Sequence, residues 1–261
     1  MDRTAIVKAF EANLWDRAAY LVRARKDTEI QESQDLLLVD SGLPCAAFNT
    51  IGRADLHPRF GTDRIDAAIK HFRSKSSPFT WVLGPMSGHG KLEQSLKDAG
   101  LAASEEEWVM AMLLDGASIP EKVPPGLEIK RVTTTDEVKH FAEVLSNSST
   151  PPDENVKTFY TDTKDAAIAP ASPLRLYVGY VNKEPVSVLE AYMAHNVINF
   201  YAMAGLASTR GKGYTVGLIL KALTDAKKVN VKLAGLQSPE AQRALYERLG
   251  FKPAARIVAY H

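Results

Sequence analysis

A mixed α/β fold of the α+β class is what this sequence predicts: a central, largely antiparallel twisted sheet with helices flanking it. Three observations point there. Strand-length apolar runs alternate with helix-period stretches along the chain. Turn signals at 182–184 and 195–196 join three consecutive runs as hairpins, and hairpins make antiparallel neighbours. Pro120, Pro124 and Pro125 interrupt the pattern and divide it into two lobes, residues 1–118 and 127–261.

Composition narrows the class of function. At 45% apolar and 24% charged residues, the 261-residue chain is an ordinary globular composition. Lys+Arg 32 against Asp+Glu 31 gives a net charge of +1, which offers no field for nucleic acid or an anionic membrane. Cys45 is the one cysteine, so no internal disulfide forms, and a small buried residue is its expected role. The start of the chain is charged and amphipathic, and no 18-residue apolar run occurs. These features lead us to expect a cytoplasmic protein.

In order, residues 1–25 pattern as a helix through Ile6, Phe10, Leu14 and Leu21. The run 35–40 reads as a strand, 41–42 as a turn and 45–51 as a returning strand. Residues 62–74 form a helix with Ile65, Ala68, Ile69 and Phe72 on one face, capped by Thr62 or Asp63. A strand at 78–83, a loop at 84–91, a helix at 92–99 closed by Gly100, and a strand at 108–114 complete the first lobe. The loop holds Gly90-Lys91, but Pro85 and Leu92 stand where a phosphate-binding Walker loop needs Gly and Ser or Thr, so nucleotide hydrolysis is excluded. The second lobe opens on a strand at 127–132 and a helix to about 145, capped by Thr135 or Asp136. A polar stretch at 147–163 follows, then the hairpin strands 174–181 and 185–194.

The most telling stretch comes next. A strand at 198–206 leads into Arg210-Gly211-Lys212-Gly213 and then a helix at 214–228. Glycines let a turn aim its backbone N–H groups at one point, and a helix N-terminus adds its dipole. Two basic side chains in the same loop make a phosphate or pyrophosphate the natural guest. A strand at 231–236 and a short helix ending in Leu245-Tyr246-Glu247-Arg248-Leu249-Gly250-Phe251 close the pattern.

This order resembles the GNAT superfamily of acetyl-CoA-dependent N-acyltransferases over residues 127–255. The family's loop signature is Arg or Gln, two residues, Gly, one residue, then Gly or Ala; it stands here as Arg210-Gly211-Lys212-Gly213-Tyr214-Thr215. Thr215 departs from it. The Tyr-x-x-x-Gly-Phe close is present as Tyr246, Gly250 and Phe251. The first lobe keeps the strand–loop–helix–strand order without the signature, and so resembles a degenerate GNAT-like lobe; an unrelated α+β extension is the alternative.

The resemblance implies a GNAT fold in two tandem lobes, with acetyl-CoA as co-substrate and no metal. It implies that Arg210, Gly211, Lys212, Gly213, Tyr214 and Thr215 hold the pyrophosphate. Met203, Ala204, Gly205, Leu206 and Ala207 would offer backbone N–H groups to the pantetheine and thioester, with Gly205 suited to a local break in the strand. It implies a mobile lid at 147–163 over the acceptor. A phenol near ~10 can protonate a thiolate near ~8.5, so Tyr246 is the candidate acid, a core tyrosine beside Phe251 being the alternative. Glu190 interrupts an apolar strand and is the candidate base, unless it points outward or pairs with a buried cation. Tyr201 and His195 are the other options, as is a water chain. The expected activity is N-acetyl transfer to a primary amine of a small molecule or peptide; the other reading is a CoA-binding sensor or scaffold without catalysis. Partners are the amine substrate, with no nucleic acid and no membrane. The oligomeric state stays open, a homodimer being one option.

Overall fold

A computed structural model describes residues 1–56, 61–87, 90–120 and 122–261. The loop at 84–91 and the linker near 116–126 each include residues outside that set. In chain order the elements are α1 (Arg3–Tyr20), β1 (Glu29–Glu32), β2 (Leu37–Asp40), β3 (Thr50–Gly52), α2 (Gly61–Arg73), β4 (Thr80–Leu83), α3 (Lys91–Asp98) and β5 (Glu107–Leu113). They continue with β6 (Glu128–Arg131), α4 (Thr135–Ser146), α5 (Glu154–Asp162), α6 (Lys164–Ile168), β7 (Leu174–Val181), β8 (Glu184–Ala194), β9 (Val197–Gly205) and α7 (Tyr214–Lys228). Last come β10 (Leu233–Pro239), α8 (Glu240–Arg248) and β11 (Lys252–Tyr260).

Contacts divide the chain into two compact units, Met1–Met110 with Gln237–His261, and Ala111–Leu236. This grouping differs from the expected 1–118 and 127–261 in where the C-terminal stretch belongs. The reason is β11, which pairs antiparallel with β4 through Val258↔Leu83 and Tyr260↔Trp81.

In the first unit the strands run β1-β2-β3-β4-β11, antiparallel except for β3 beside β4. Ile65, Ala68, Ile69 and Phe72 of α2 recur at helical spacing and are buried. Phe72 stacks on Phe79 at 4.9 Å, beside the fully buried Trp81 and Leu96. Burying each such side chain stabilises by about 1.5–3 kcal/mol. Helix α1 lays Trp15 so close to β3 that a Cβ on Gly52 would sit 2.3 Å from its ring. The returning strand expected at 45–51 is only Thr50–Gly52. The residues before it are held as a loop by Asn49, whose Nδ2 donates to Leu43 O (2.8 Å) and Pro78 O (2.9 Å) while Oδ1 accepts from the Ser41 N–H (2.9 Å). A buried amide making those bonds outweighs local β propensity.

In the second unit the order is β6-β7-β8-β9-β10, with β6 through β9 antiparallel and β10 parallel to β9. Asn182-Lys183 and His195-Asn196 all have positive φ, 51°, 70°, 54° and 60°, as tight hairpins of right-handed twist require. Thr134, one residue before the expected cap, forms a capping box with Glu137 at the start of α4. The stretch read as a mobile lid is largely helical: Asp153 caps α5, which buries Val156, Phe159 and Tyr160.

Neighbouring side chains on a strand alternate faces. On β8, Ser187 meets Thr215 of α7 at 3.3 Å, whereas Glu190 meets Tyr160 of α5. Helices α7 and α5 therefore cover opposite faces of this sheet.

Candidate functional site

Gly213 is the N-cap of α7 in the left-handed conformation, φ 75° and ψ 13°, and no side chain caps the helix. The first intrahelical bond runs from the Gly217 N–H to the Gly213 carbonyl at 3.0 Å. The amides of Tyr214, Thr215 and Val216 thus have no partner within the helix, as at any uncapped N-terminus. Gly211 is also left-handed, φ 79°, with open space where a Cβ would stand. Arg210 and Lys212 are exposed beside it. Among the described residues neither forms an ion pair. The donor set is therefore cationic and amide-rich, which fits the pyrophosphate of a coenzyme. Thr215 turns its hydroxyl toward Ser187, so its extra atoms are accommodated on the sheet side.

Strand β9 leads into this loop. Its register with β10 runs from Val197↔Leu233 to Phe200↔Leu236, and β9 continues beyond that point to Gly205. On its other side the register with β8 shifts between Val188↔Ala204 and Glu190↔Tyr201, a bulge at which Ala202 has φ 42°. A non-glycine residue at that φ costs on the order of 1–3 kcal/mol and marks a local constraint. The irregularity falls at Ala202 rather than at Gly205, the position expected from the sequence. A Cβ on Gly205 would meet only ordinary contacts, the nearest at 3.5 Å. Past the strand, the Leu206 N–H donates to Val186 O (3.0 Å), and Ala207–Thr209 forms a 3-10 turn.

Glu190 lies in mid-strand, 1% exposed, opposite Leu176 and Tyr201. The Tyr160 hydroxyl donates to its Oε2. Sequence reasoning missed Tyr160, because the signal is a tertiary contact between residues 30 positions apart. Tyr201 accepts from the Asn199 amide at 3.2 Å, and His195 is exposed at its turn.

Tyr246 falls in the first contact unit, on α8, with its ring edge-on to Phe251 at 6.3 Å. Burial raises its pKa, and the Glu107 carboxylate adds to that, so the phenol is protonated at neutral pH. Among the described residues one group brings three possible metal ligands within 4.8 Å, Glu29, Asp40 and His71; the Lys75 ammonium sits 2.7 Å from Asp40 Oδ2.

No family model matches the sequence, and no curated protein matches it. Solved structures match in shape. A GCN5-related N-acetyltransferase from Kribbella flavida aligns at a TM-score of 0.72 and 17% identity, over 97% of this chain and 94% of that one. The chain has the GNAT fold. Another GCN5-related N-acetyltransferase, from Sphaerobacter thermophilus, aligns at 0.63 and 17% identity over 88% and 81% of the two chains. A tandem GNAT protein from the clavulanic acid biosynthesis pathway aligns at 0.59 and 13% identity over 95% and 93%. Alignment over nearly the whole chain accords with two GNAT-like lobes. Within the GNAT fold, the second unit carries the basic glycine loop. No described helix is long and apolar enough to cross a membrane.

Proposed function

We propose that this chain is a cytoplasmic N-acetyltransferase that moves an acetyl group from acetyl-CoA directly to a primary amine of a small molecule or peptide. The observation that supports it most is the uncapped, doubly left-handed, basic loop at the start of α7, set in a GNAT fold. Arg210, Gly211, Lys212, Gly213, Tyr214 and Thr215 would hold the pyrophosphate. Met203 to Ala207 would lie along the pantetheine and present backbone to the thioester oxygen. When bound, acetyl-CoA supplies the activated acyl group and a thiol leaving group.

The proton count calls for one acceptor and one donor. An ammonium acceptor must lose one proton before its nitrogen can attack. The N–C bond then forms, the C–S bond breaks, the nitrogen loses a second proton and the sulfur gains one. Glu190 takes the two amine protons in turn, through water because it is buried; one passes to solvent, and the other returns by way of solvent to the Tyr246 phenolate once that has protonated the sulfur. Tyr246, held protonated, is the donor to sulfur.

A thiol-release assay with acetyl-CoA over amino acids, polyamines, aminoglycosides and peptide N-termini tests this reading. Thermal stabilisation by CoA runs beside it, since a ligand at 100 times its dissociation constant adds about 2.7 kcal/mol. Thiol release with at least one amine is the expected result. Stabilisation without any release points to the non-catalytic sensor, and neither effect ends the coenzyme reading.

A further inference from the structure

Tyr160 is a buried titratable group that the chemistry above leaves unused. It is fully buried, on helix α5 within the stretch 147–163. Its ring is held edge-on by Phe141 at 4.9 Å and by Phe159 at 5.5 Å. The helix beneath it is fixed at both ends: Asp153 accepts from the Asn155 N–H at 2.9 Å, and the Thr163 hydroxyl donates to Phe159 O at 2.8 Å. Tyr160 is thus a rigid donor, and its hydroxyl is spent on the Glu190 carboxylate.

Where Glu190 sits gives that bond a consequence. Its cross-strand partner is Tyr201, the residue after the Phe200↔Leu236 pair that ends the β9–β10 ladder. The next β9 residue, Ala202, is the bulge. Glu190 therefore stands one strand over from the place where β9 and β10 stop pairing. A carboxylate there is useful as a proton acceptor only if it keeps one orientation, and a positional error near 1 Å can cost about 100-fold in rate. The tyrosine hydroxyl removes that freedom, and buried charge needs such a donor in any case.

We propose that Tyr160 is a positioning residue for the acceptor side of the reaction: it fixes the Glu190 carboxylate at the end of the β9–β10 ladder and so sets the rate of proton removal from the amine. The inference rests on the acetyl-transfer reading and on Glu190 as the proton acceptor. Tyr160 acts through Glu190.

A double-mutant cycle in the full chain tests it. Tyr160→Phe should lower kcat about 10–100-fold, with the KM for the amine and the Kd for acetyl-CoA unchanged. Glu190→Gln should lower kcat at least as far. Tyr160→Phe combined with Glu190→Gln should be no slower than Glu190→Gln alone, because the two residues act as one unit. The double variant also removes the buried charge, so it keeps the test valid if Tyr160→Phe alone folds poorly. Additive losses in kcat would overturn the proposal, since a purely structural tyrosine costs the same factor whether or not Glu190 is present. Full activity of either single variant would overturn it too. A parent protein that is stabilised by CoA yet releases no thiol with any amine removes the acetyl-transfer reading, and this inference with it; an active parent with an additive cycle removes this inference alone.

Discussion

Both units contain a strand, a glycine-bearing loop and a helix, and the two loops have been finished differently. After β9, a Cβ on Gly211 would meet nothing within 4 Å, and one on Gly213 only Pro124 at 4.0 Å. After β4, a Cβ on Gly84 would lie 2.2 Å from Glu11 Oε1, and the same oxygen accepts the Met86 N–H at 2.7 Å. Glu11 is 7% exposed. The first unit has thus supplied its loop with an acceptor of its own, carried on α1. The second leaves amides and two cations facing outward. Similar local order thus ends in one loop whose Met86 N–H is satisfied from within, and in another whose helix-start amides have no partner inside the helix.

The largest effect we expect tests whether the first unit is purely structural. Tyr246 belongs to that unit by contact. Tyr246→Phe removes one hydroxyl and keeps the ring beside Phe251. A positioned acid contributes about 10²–10⁴-fold, so kcat should fall by that order while CoA affinity holds. An acyl donor with a more acidic leaving thiol should suffer less. Near-normal turnover, with chemistry shown to be rate-limiting, would return Tyr246 to the core and confine the chemistry to the second unit.

Next in size is Arg210→Glu. Reversing charge at the open loop should weaken CoA about 10–100-fold, the loss of one charge-assisted contact together with a new repulsion. An acetyl thioester lacking the pyrophosphate should bind as before. Equal losses for both ligands would give the loop some other task.

How far this contrast was legible in the sequence can be followed residue by residue. Helix α7 was readable to its ends, Tyr214–Lys228, because Gly213 stops the preceding chain and Leu218, Ile219, Leu220 and Leu223 keep helical spacing. The open loop was readable for the same local reasons. Strand β11 was not: Lys252-Pro253-Ala254-Ala255 has weak strand character, and its place comes from pairing with β4, far away in the chain. β1, with the sequence Glu-Ile-Gln-Glu, has no apolar alternation because it pairs only with β2 at the sheet edge. Helix α5 was hidden by a polar composition whose few apolar residues all turn inward. Nothing in the sequence sets Glu11 apart from the other charges of its helix; only the fold brings it to Gly84 and Met86.

That internal acceptor is the third test. Glu11→Ala strands the Met86 N–H and opens space beside Gly84, which should cost about 2–3 kcal/mol in urea unfolding. The Kd for CoA should not move. A gain of CoA or pyrophosphate binding at the emptied loop would show that the first unit retains a latent coenzyme site, and that Glu11 is what sets the two loops apart.

The smallest effect concerns an internally neutralised charge of the first unit, and its sign can be worked out. Asp40 accepts from the Gly42 N–H at 2.8 Å through Oδ1, while its Oδ2 lies 2.7 Å from both Lys75 Nζ and His71 Nε2. Burial acts to raise its pKa, but Lys75, the Gly42 amide and His71 outweigh it and hold the carboxyl below the usual carboxylate range. An acid whose folded pKa is depressed contributes stability above its unfolded pKa, near ~3.9, and loses it as pH falls through the folded value. The hydrogen bond to Asp40 in turn raises the pKa of Lys75, so that partner's share is complete below about 10.4 and fades only as pH climbs through its folded pKa. Between those limits the pair is at full strength. Asp40→Asn keeps an acceptor for Gly42 but removes the charge and replaces the Oδ2 acceptor that faces Lys75 with an amide donor; with Lys75 half exposed, the cost at pH 7 should be about 1–2 kcal/mol. Followed by urea unfolding from pH 7 downward, the gap between variant and parent should close below about pH 4. A gap that stays constant to pH 3 would mean that packing, and not ionisation, is what Asp40 contributes.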